Sequence, residues 1–376
     1  MSSRAPRPFG NVLLLLALVP GWAAAQAARG TPRQPLDPAR VFEVEELAPG
    51  VWGALVIPRP STYAFANSLV VEGEDGVLVV DTQQSPSAAR ALIELIGRRT
   101  DAPVRWVVNT HWHGDHVYGN EAYRDRFPGV HFFAHHGTRV GVENEGAAAR
   151  ARELVELPAT IEARAGWLAS GEGPDGTPLT KEDRAAVQRS LELRAAYLEE
   201  LRALRPVPPD VTFDERLTLH LGGGRVVELL HFGPAHTAGD VVVRLPAEGI
   251  LAVGDLLEEG PLWLEGARVA GWSSALEAVS GLEAPVLLPA HGGVHRDDGL
   301  LALQRGLLAA AVAAARAALR DGVGVEEAAR AADLEAWRAG FAELAVRGDA
   351  FDEMGRNAVR GAYRELSEAG AGRGGR

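Results

Sequence analysis

Between Val41 and Asp81 short apolar runs alternate with turn residues. VWGALVIP, SLVVEG and GVLVVDT read as three strands, with Gly73 to Gly76 turning the chain between the last two. VLVVD is continuously apolar and ends in a carboxylate, as expected of a strand covered on both faces. The period then lengthens. In SAARALIELIGRR, Leu92, Ile93 and Ile96 share one helical face, and Ser85 or Ser87 stands where a cap is needed. Pro103 restarts the chain as strand VRWVVN, HVYGNEAYRDRF predicts a short helix, and VHFFAH the next strand.

From about Gly137 to Pro206 the alternation stops. The stretch is rich in Ala, Arg and Glu, broken once by SGEGPDGTPLTKED, and Val187, Leu191, Leu198 and Leu201 recur at helical spacing. Two or more helices inserted into an α/β core are expected, forming a pocket wall or a dimer contact. Strand signals return in RLTLHL and RVVELLHF, joined as a hairpin by Gly222, Gly223 and Gly224. The loop GPAHTAGD, strands VVVRL and ILAVGD, a helix near WSSALEAVSGL and strand VLLPAHG follow. After Asp297 the pattern is helical to the end, with Leu301, Leu308, Val312 and Leu319 on one face, and Phe351, Met354, Ala358 and Tyr363 on another. The expected organisation is an α/β catalytic domain over residues 42–295, with an insertion at about 137–206 and a helical region over 296–370.

The N-terminus changes the picture of where this fold works. Arg4 and Arg7 precede the apolar run VLLLLALV, and Ala23-Ala24-Ala25 offers a cleavage site before Gln26. A signal peptide cleaved after Ala25 is expected, hence a secreted or periplasmic protein with no stable membrane anchor. Residues 26–40 read as an arm with little order, and no later stretch reads as a membrane span. Loss of Arg4 and Arg7 shifts the formal charge from −12 to −14. With basic residues scattered, nucleic acid is an unsuitable partner and a small molecule the expected one. The chain has no cysteine, which excludes disulfides and any thiolate ligand.

The candidate chemistry starts directly behind VRWVVN. Thr110-His111-Trp112-His113-Gly114-Asp115-His116 brings three imidazoles and a carboxylate to the end of one strand. These are natural ligands for Zn²⁺ and its neighbours. Three more donors end predicted strands or sit in the loops beside them: His236 in GPAHTAGD, Asp255 in ILAVGD and His291 in PAHG. Seven donors suit two metals of four- to five-coordinate character, with room for a bridging water.

THWHGDH, GPAHTAGD, AVGD and PAHG, in that order, resemble the metallo-β-lactamase superfamily over about Val51 to His295. The resemblance implies a four-layer αββα sandwich with metals at one edge of the paired sheets. It implies that His111, His113 and His236 hold the first metal, that Asp115, His116 and His291 hold the second, and that Asp255 bridges them. Asp81 matches a supporting position. An imidazole at His113 favours two Zn²⁺ over a diiron centre, with iron or manganese as other occupants, and the missing cysteine leaves glyoxalase II-like, lactonase-like or cysteine-free β-lactamase-like ligand sets. Leu256, where that lactamase subclass commonly has a small hydroxyl residue, leans away from a dedicated lactamase.

Two cations lower the pKa of a bridging water enough for hydroxide to form near neutral pH. The expected reaction is hydrolysis of a small ester, thioester, lactone or lactam, with Asp115 also orienting the nucleophile or taking a proton. A β-lactamase, a mononuclear iron dioxygenase and a catalytically silent binding protein are the alternatives. Tyr63 and Phe65 in PSTYAFAN, Tyr118 beside the histidine run, and Trp263 and Trp272 beyond Asp255 are candidate substrate contacts. Of the remaining histidines, His135 is the most notable, at a predicted strand end.

Overall fold

Strand after strand, alternate apolar residues turn to opposite faces, and this builds two sheets packed face to face. The computed structural model describes residues 36–374; the expected signal peptide and the arm up to residue 35 lie outside them. The first half contains β1 (Phe42–Ala48), β2 (Val51–Val56), β3 (Ser68–Gly73), β4 (Gly76–Val80), α1 (Pro86–Arg99), β5 (Val104–Val108), α2 (Gly114–Val117), α3 (Asn120–Arg126) and β6 (His131–His135). Then come α4 (His136–Glu143), α5 (Glu145–Ser170), α6 (Lys181–Ala203) and β7 (Val211–Phe213). These seven strands form one sheet in chain order, antiparallel from β1 to β4 and parallel from β4 to β7.

The second sheet takes β8 (Arg216–His220), β9 (Val226–Leu230), β10 (Val242–Leu245), β11 (Ile250–Glu258) and, after α7 (Val269–Ser280), β12 (Val286–His291). Its order is β12-β11-β10-β9-β8. Only β11 and β12 run parallel there, because α7 carries the chain back between them. The chain ends in α8 (Gly299–Asp321), α9 (Val325–Ala331), α10 (Glu335–Glu343) and α11 (Asp349–Gly374).

The two-residue period places Leu69, Val71, Leu78, Val80 and Val108 of the first sheet against Val227, Leu229, Val243, Ile250 and Leu288 of the second. Their neighbours Val70, Val77, Val79 and Val107 face outward onto Ala88, Leu92 and Ile96 of α1. Leu230, Val242, Leu251 and Leu287 face outward onto Trp272 and Leu276 of α7 and Leu307 and Leu308 of α8. Four layers result, α, β, β and α, as the resemblance implies. Ser85 caps α1, accepting from the Ala88 amide at 3.1 Å and donating to the Tyr63 carbonyl at 2.8 Å. Ser85→Ala is expected to cost about 1 kcal/mol of stability, measured by denaturant melts.

Several expectations change in detail. The end of the N-terminal arm is ordered: Asp37 caps a short 3₁₀ turn at Pro38–Arg40, and Pro38 is buried. β1, with its acidic FEVEELA pattern, and the three-residue β7 are additional strands. The expected short helix after the histidine run is two pieces, α2 and α3, and Gly119 between them approaches the Thr82 carbonyl so closely that a Cβ would stand 1.8 Å from it. Contrary to expectation, α8 is long and apolar enough to cross a membrane by length and composition. Leu300, Leu301, Leu307, Leu308 and Ala311 of that helix are buried in the core over the second sheet. Residues expected as an insertion fold as α4, α5 and α6, and Leu157, Tyr197, Leu198 and Leu201 pack on Val117 and Tyr118 beside the histidine run.

Candidate metal centre

The histidine run is held by buried polar contacts from both sheets. Asp81 follows β4 in a left-handed conformation, φ 60°. Its carboxylate accepts from the Thr110 amide at 2.8 Å, the Thr110 hydroxyl at 2.7 Å and His116 Nδ1 at 2.8 Å. Asn109 Nδ2 donates to the His116 carbonyl at 3.0 Å, and the Val241 backbone amide, just before β10 of the other sheet, donates to the Thr110 carbonyl at 2.8 Å. Gly254, before Asp255, has φ +55°, and a Cβ there would meet Thr110 Oγ1 at 2.8 Å. A larger residue is therefore excluded twice over, by conformation and by space.

All seven expected donors converge where the strand ends of the two sheets meet. His113 Nδ1 lies 3.0 Å from both His111 Nε2 and His236 Nε2. Asp115 Oδ2 lies 3.2 Å from His291 Nε2 and 3.5 Å from His116 Nε2. Asp255 divides its oxygens: Oδ2 is 3.5 Å from His111 and 3.6 Å from His236, while Oδ1 is 3.3 Å from His116 and 3.5 Å from His291. Two four-donor groups share that carboxylate, His111, His113, His236 and Asp255 in one, Asp115, His116, Asp255 and His291 in the other.

The donor set fits a pair of divalent cations. In its neutral form His116, donating from Nδ1 to Asp81, turns an Nε2 lone pair to the site, and both that atom and Asp255 Oδ1 are buried without a hydrogen-bond partner. Facing acceptors in an apolar setting need positive charge between them. Burial, reinforced by neighbouring imidazoles, keeps His111 and His113 below their ordinary pKa and His236 at about 3, so these remain neutral donors. At the second group burial also opposes charge, but Asp255, Asp115 and Asp81 outweigh it and hold His116 well above its ordinary value. His291 is raised likewise, chiefly by Asp255 and Asp115 against burial. Burial would raise Asp115 and Asp255, yet the histidines hold both carboxylates well below the usual range. Imidazole nitrogens and carboxylate oxygens suit zinc-type ions.

A cleft of about 910 Å³ opens over the second group. Tyr63, Phe65, Tyr118 and Trp263 all line it, Phe65 and Trp263 being 47% and 56% exposed at its mouth. Trp272 does not: it is fully buried, packs edge-on against His236 at 5.3 Å and donates to the Leu256 carbonyl. Ala148, Ala149 and Arg152 of α5 line the cleft, so the insertion is a pocket wall. His135 lies outside the seven-donor cluster; it caps α4 and stacks on His231 at 3.7 Å. Glu258 was not foreseen as a site residue. It lines the cleft, one oxygen accepting from the Trp263 amide and the other 3.8 Å from His236 Nδ1 without a hydrogen-bond partner. Burial and Asp255 push its carboxyl well above the usual range. Its position in the buried β11 strand gave no local signal.

Similarity to known proteins agrees with this geometry. Linear primary-alkylsulfatase of Pseudomonas sp. is 24% identical over 235 residues, 59% of this chain and 40% of that protein, so the chain spans about two fifths of that relative's length. Among solved structures, a metallo-beta-lactamase from Pontibacter korlensis aligns with TM-score 0.50 and 23% identity, over 71% of this chain and 99% of its own. The stereoselective inverting sec-alkylsulfatase from Pseudomonas sp. aligns with TM-score 0.57 and 18% identity, over 86% of this chain and 50% of its own. At such identities the two structures bear on the fold alone. The family profile described as Metallo-beta-lactamase superfamily matches residues 62–291, which takes in every one of the seven donors. With more than half its length matched, and the αββα layers and the paired donor groups in place, the chain belongs to the metallo-beta-lactamase superfamily.

Proposed function

We propose that this chain is an exported, dinuclear, zinc-dependent hydrolase that cleaves a small ester, thioester, lactone or lactam. The observation that carries the reading is the division of Asp255, one oxygen toward each donor group. His111, His113 and His236 would hold one cation and Asp115, His116 and His291 the other. When bound, such a pair supplies Lewis acidity and lowers the pKa of a water nucleophile. The chain's own groups do the rest. Asp115, reaching the cleft from α2, orients the attacking water and accepts its proton. Asp81 and Thr110 fix the tautomers of His116 and His111, since Thr110 Oγ1 donates to Asp81 and stands 3.2 Å from His111 Nδ1. Tyr63, Phe65, Tyr118 and Trp263 shield the reacting bond from bulk water.

A second reading, cleavage of a sulfate ester, is supported by the likeness to linear primary-alkylsulfatase. Metal content of the mature protein and turnover of nitrocefin, esters, thioesters, lactones and alkyl sulfates, measured on one sample, test both. About two zinc ions with turnover of a carboxylic substrate is the expected result; turnover of alkyl sulfates alone selects the second reading, and fast nitrocefin turnover a β-lactamase. Approximately one iron, with no hydrolysis, overturns the hydrolase. Chelation is expected to lower turnover at least about 100-fold and added Zn²⁺ to restore it.

A further inference from the structure

Beside the donor groups the chain builds another cavity, of about 580 Å³, which shares Tyr63, Phe65 and His291 with the main cleft. Its walls come from the segment between β2 and β3 and from α6. They place Arg59, Arg189 and Arg194 in one lining, Arg59 and Arg189 exposed and Arg194 half-buried. Arg194 donates to Ser190 and lies over the Tyr63 ring at 5.7 Å; among the described residues none of the three has a carboxylate within ion-pair distance. A fourth guanidinium, Arg164 of α5, adds to the crowding: burial and Arg194 hold it below its ordinary value.

No acidic residue is in that lining, although a chain of net charge −12 has carboxylates in ample supply. Across the Tyr63–Phe65 segment the charge reverses, for Glu153, Glu156, Glu258, Glu259 and Glu265 line the main cleft. A substrate bridging the two spaces is therefore oriented by charge, its anionic part on the arginine side of His291. We propose that Arg59, Arg189 and Arg194 form the subsite for an oxyanionic group that the substrate carries a few bonds from the cleaved one. The substrate class is then a small ester, thioester, lactone or lactam bearing a carboxylate or sulfonate, and the insertion is its specificity element. Guanidinium suits both oxyanions through paired N–H donors. This deepens the hydrolase reading and rests on it.

The test compares phenyl hydrogen glutarate with its neutral methyl diester on the metal-loaded protein. In Arg59→Gln/Arg189→Gln the ratio of kcat/KM for the anionic over the neutral ester is expected to fall about tenfold or more, through KM, and further in Arg189→Glu. Calorimetric binding of glutarate, and of propane-1-sulfonate as the tetrahedral oxyanion, is expected to weaken by a similar factor in the double variant. The stronger of the two responses assigns carboxylate or sulfonate. A selectivity ratio or a Kd that the double variant leaves unchanged overturns the subsite. If the unsubstituted protein hydrolyses neither ester, the calorimetric Kd alone decides the subsite, and the hydrolase reading is decided separately by the wider substrate panel.

Discussion

Asp255→Asn is expected to lower bound metal from about two equivalents to at most about one and to cut turnover roughly 10³-fold or more, some 4 kcal/mol of transition-state stabilisation. The side chains are nearly isosteric, so the change is electronic. Four imidazole Nε2 atoms stand 3.3 to 3.6 Å from the Asp255 carboxylate, drawn from the turn after β5, α2, β12 and the loop before β10. An amide offers them one acceptor oxygen, no charge and an NH₂ group that cannot ligate. Both donor groups lose a member at once, because this residue is common to both. Elemental analysis of the dialysed variant, with turnover on the best substrate, checks the prediction. Two tightly held equivalents and near-normal turnover would show that the carboxylate is not shared.

Asp81→Ala is expected to cost roughly 3–5 kcal/mol of folding stability and to weaken metal binding about 10- to 100-fold, although Asp81 is absent from both donor groups. Three buried donors lose their acceptor together: the Thr110 amide, the Thr110 hydroxyl and His116 Nδ1. The backbone adds to the loss. At φ 60° an aspartate is tolerated far better than alanine, since its short polar side chain bonds locally. Asp81→Asn keeps that tolerance and one acceptor, so an intermediate effect is expected. Denaturant melts of the metal-free forms separate the folding part from the metal part. Equal stability of all three forms would refute the proposed role of this network.

The donor cluster was legible because its chemistry is written locally. HxHxDH puts four of the seven donors within six residues, and the other three follow or flank apolar runs, although β11 continues past Asp255, expected as its end, to Glu258. The layers were legible for the same reason: Leu69, Val70 and Val71 announce their alternate faces in their spacing. β1 was harder, since four of its seven residues are charged or small and its strand character comes from pairing with β2. Glu258 and the arginine cavity were not legible. Arg59 and Arg189 are separated by 130 positions, and only the docking of α6 against the segment before β3 makes them neighbours. The aromatic residues divided similarly: Trp263 and Trp272 looked alike in sequence, and the packing of α7 on the second sheet buried one and left the other at the cleft.

Each donor group draws on both sheets. His111 and His113 close with His236 and Asp255, and Asp115 and His116 close with Asp255 and His291. A bound cation is thus a clasp between two halves of the sandwich that otherwise adhere through the apolar layer between them and a few hydrogen bonds, such as those from Val241 to Thr110 and from Asn67 to Pro289. By mass action, ions that bind only the docked arrangement raise the melting temperature with their concentration. The coupling also runs backward. A methylene lost from Leu229 or Leu78, in the apolar layer between the sheets, is therefore expected to loosen the clasp. Selection for heat resistance in this chain would therefore also select, unasked, for grip on a scarce metal.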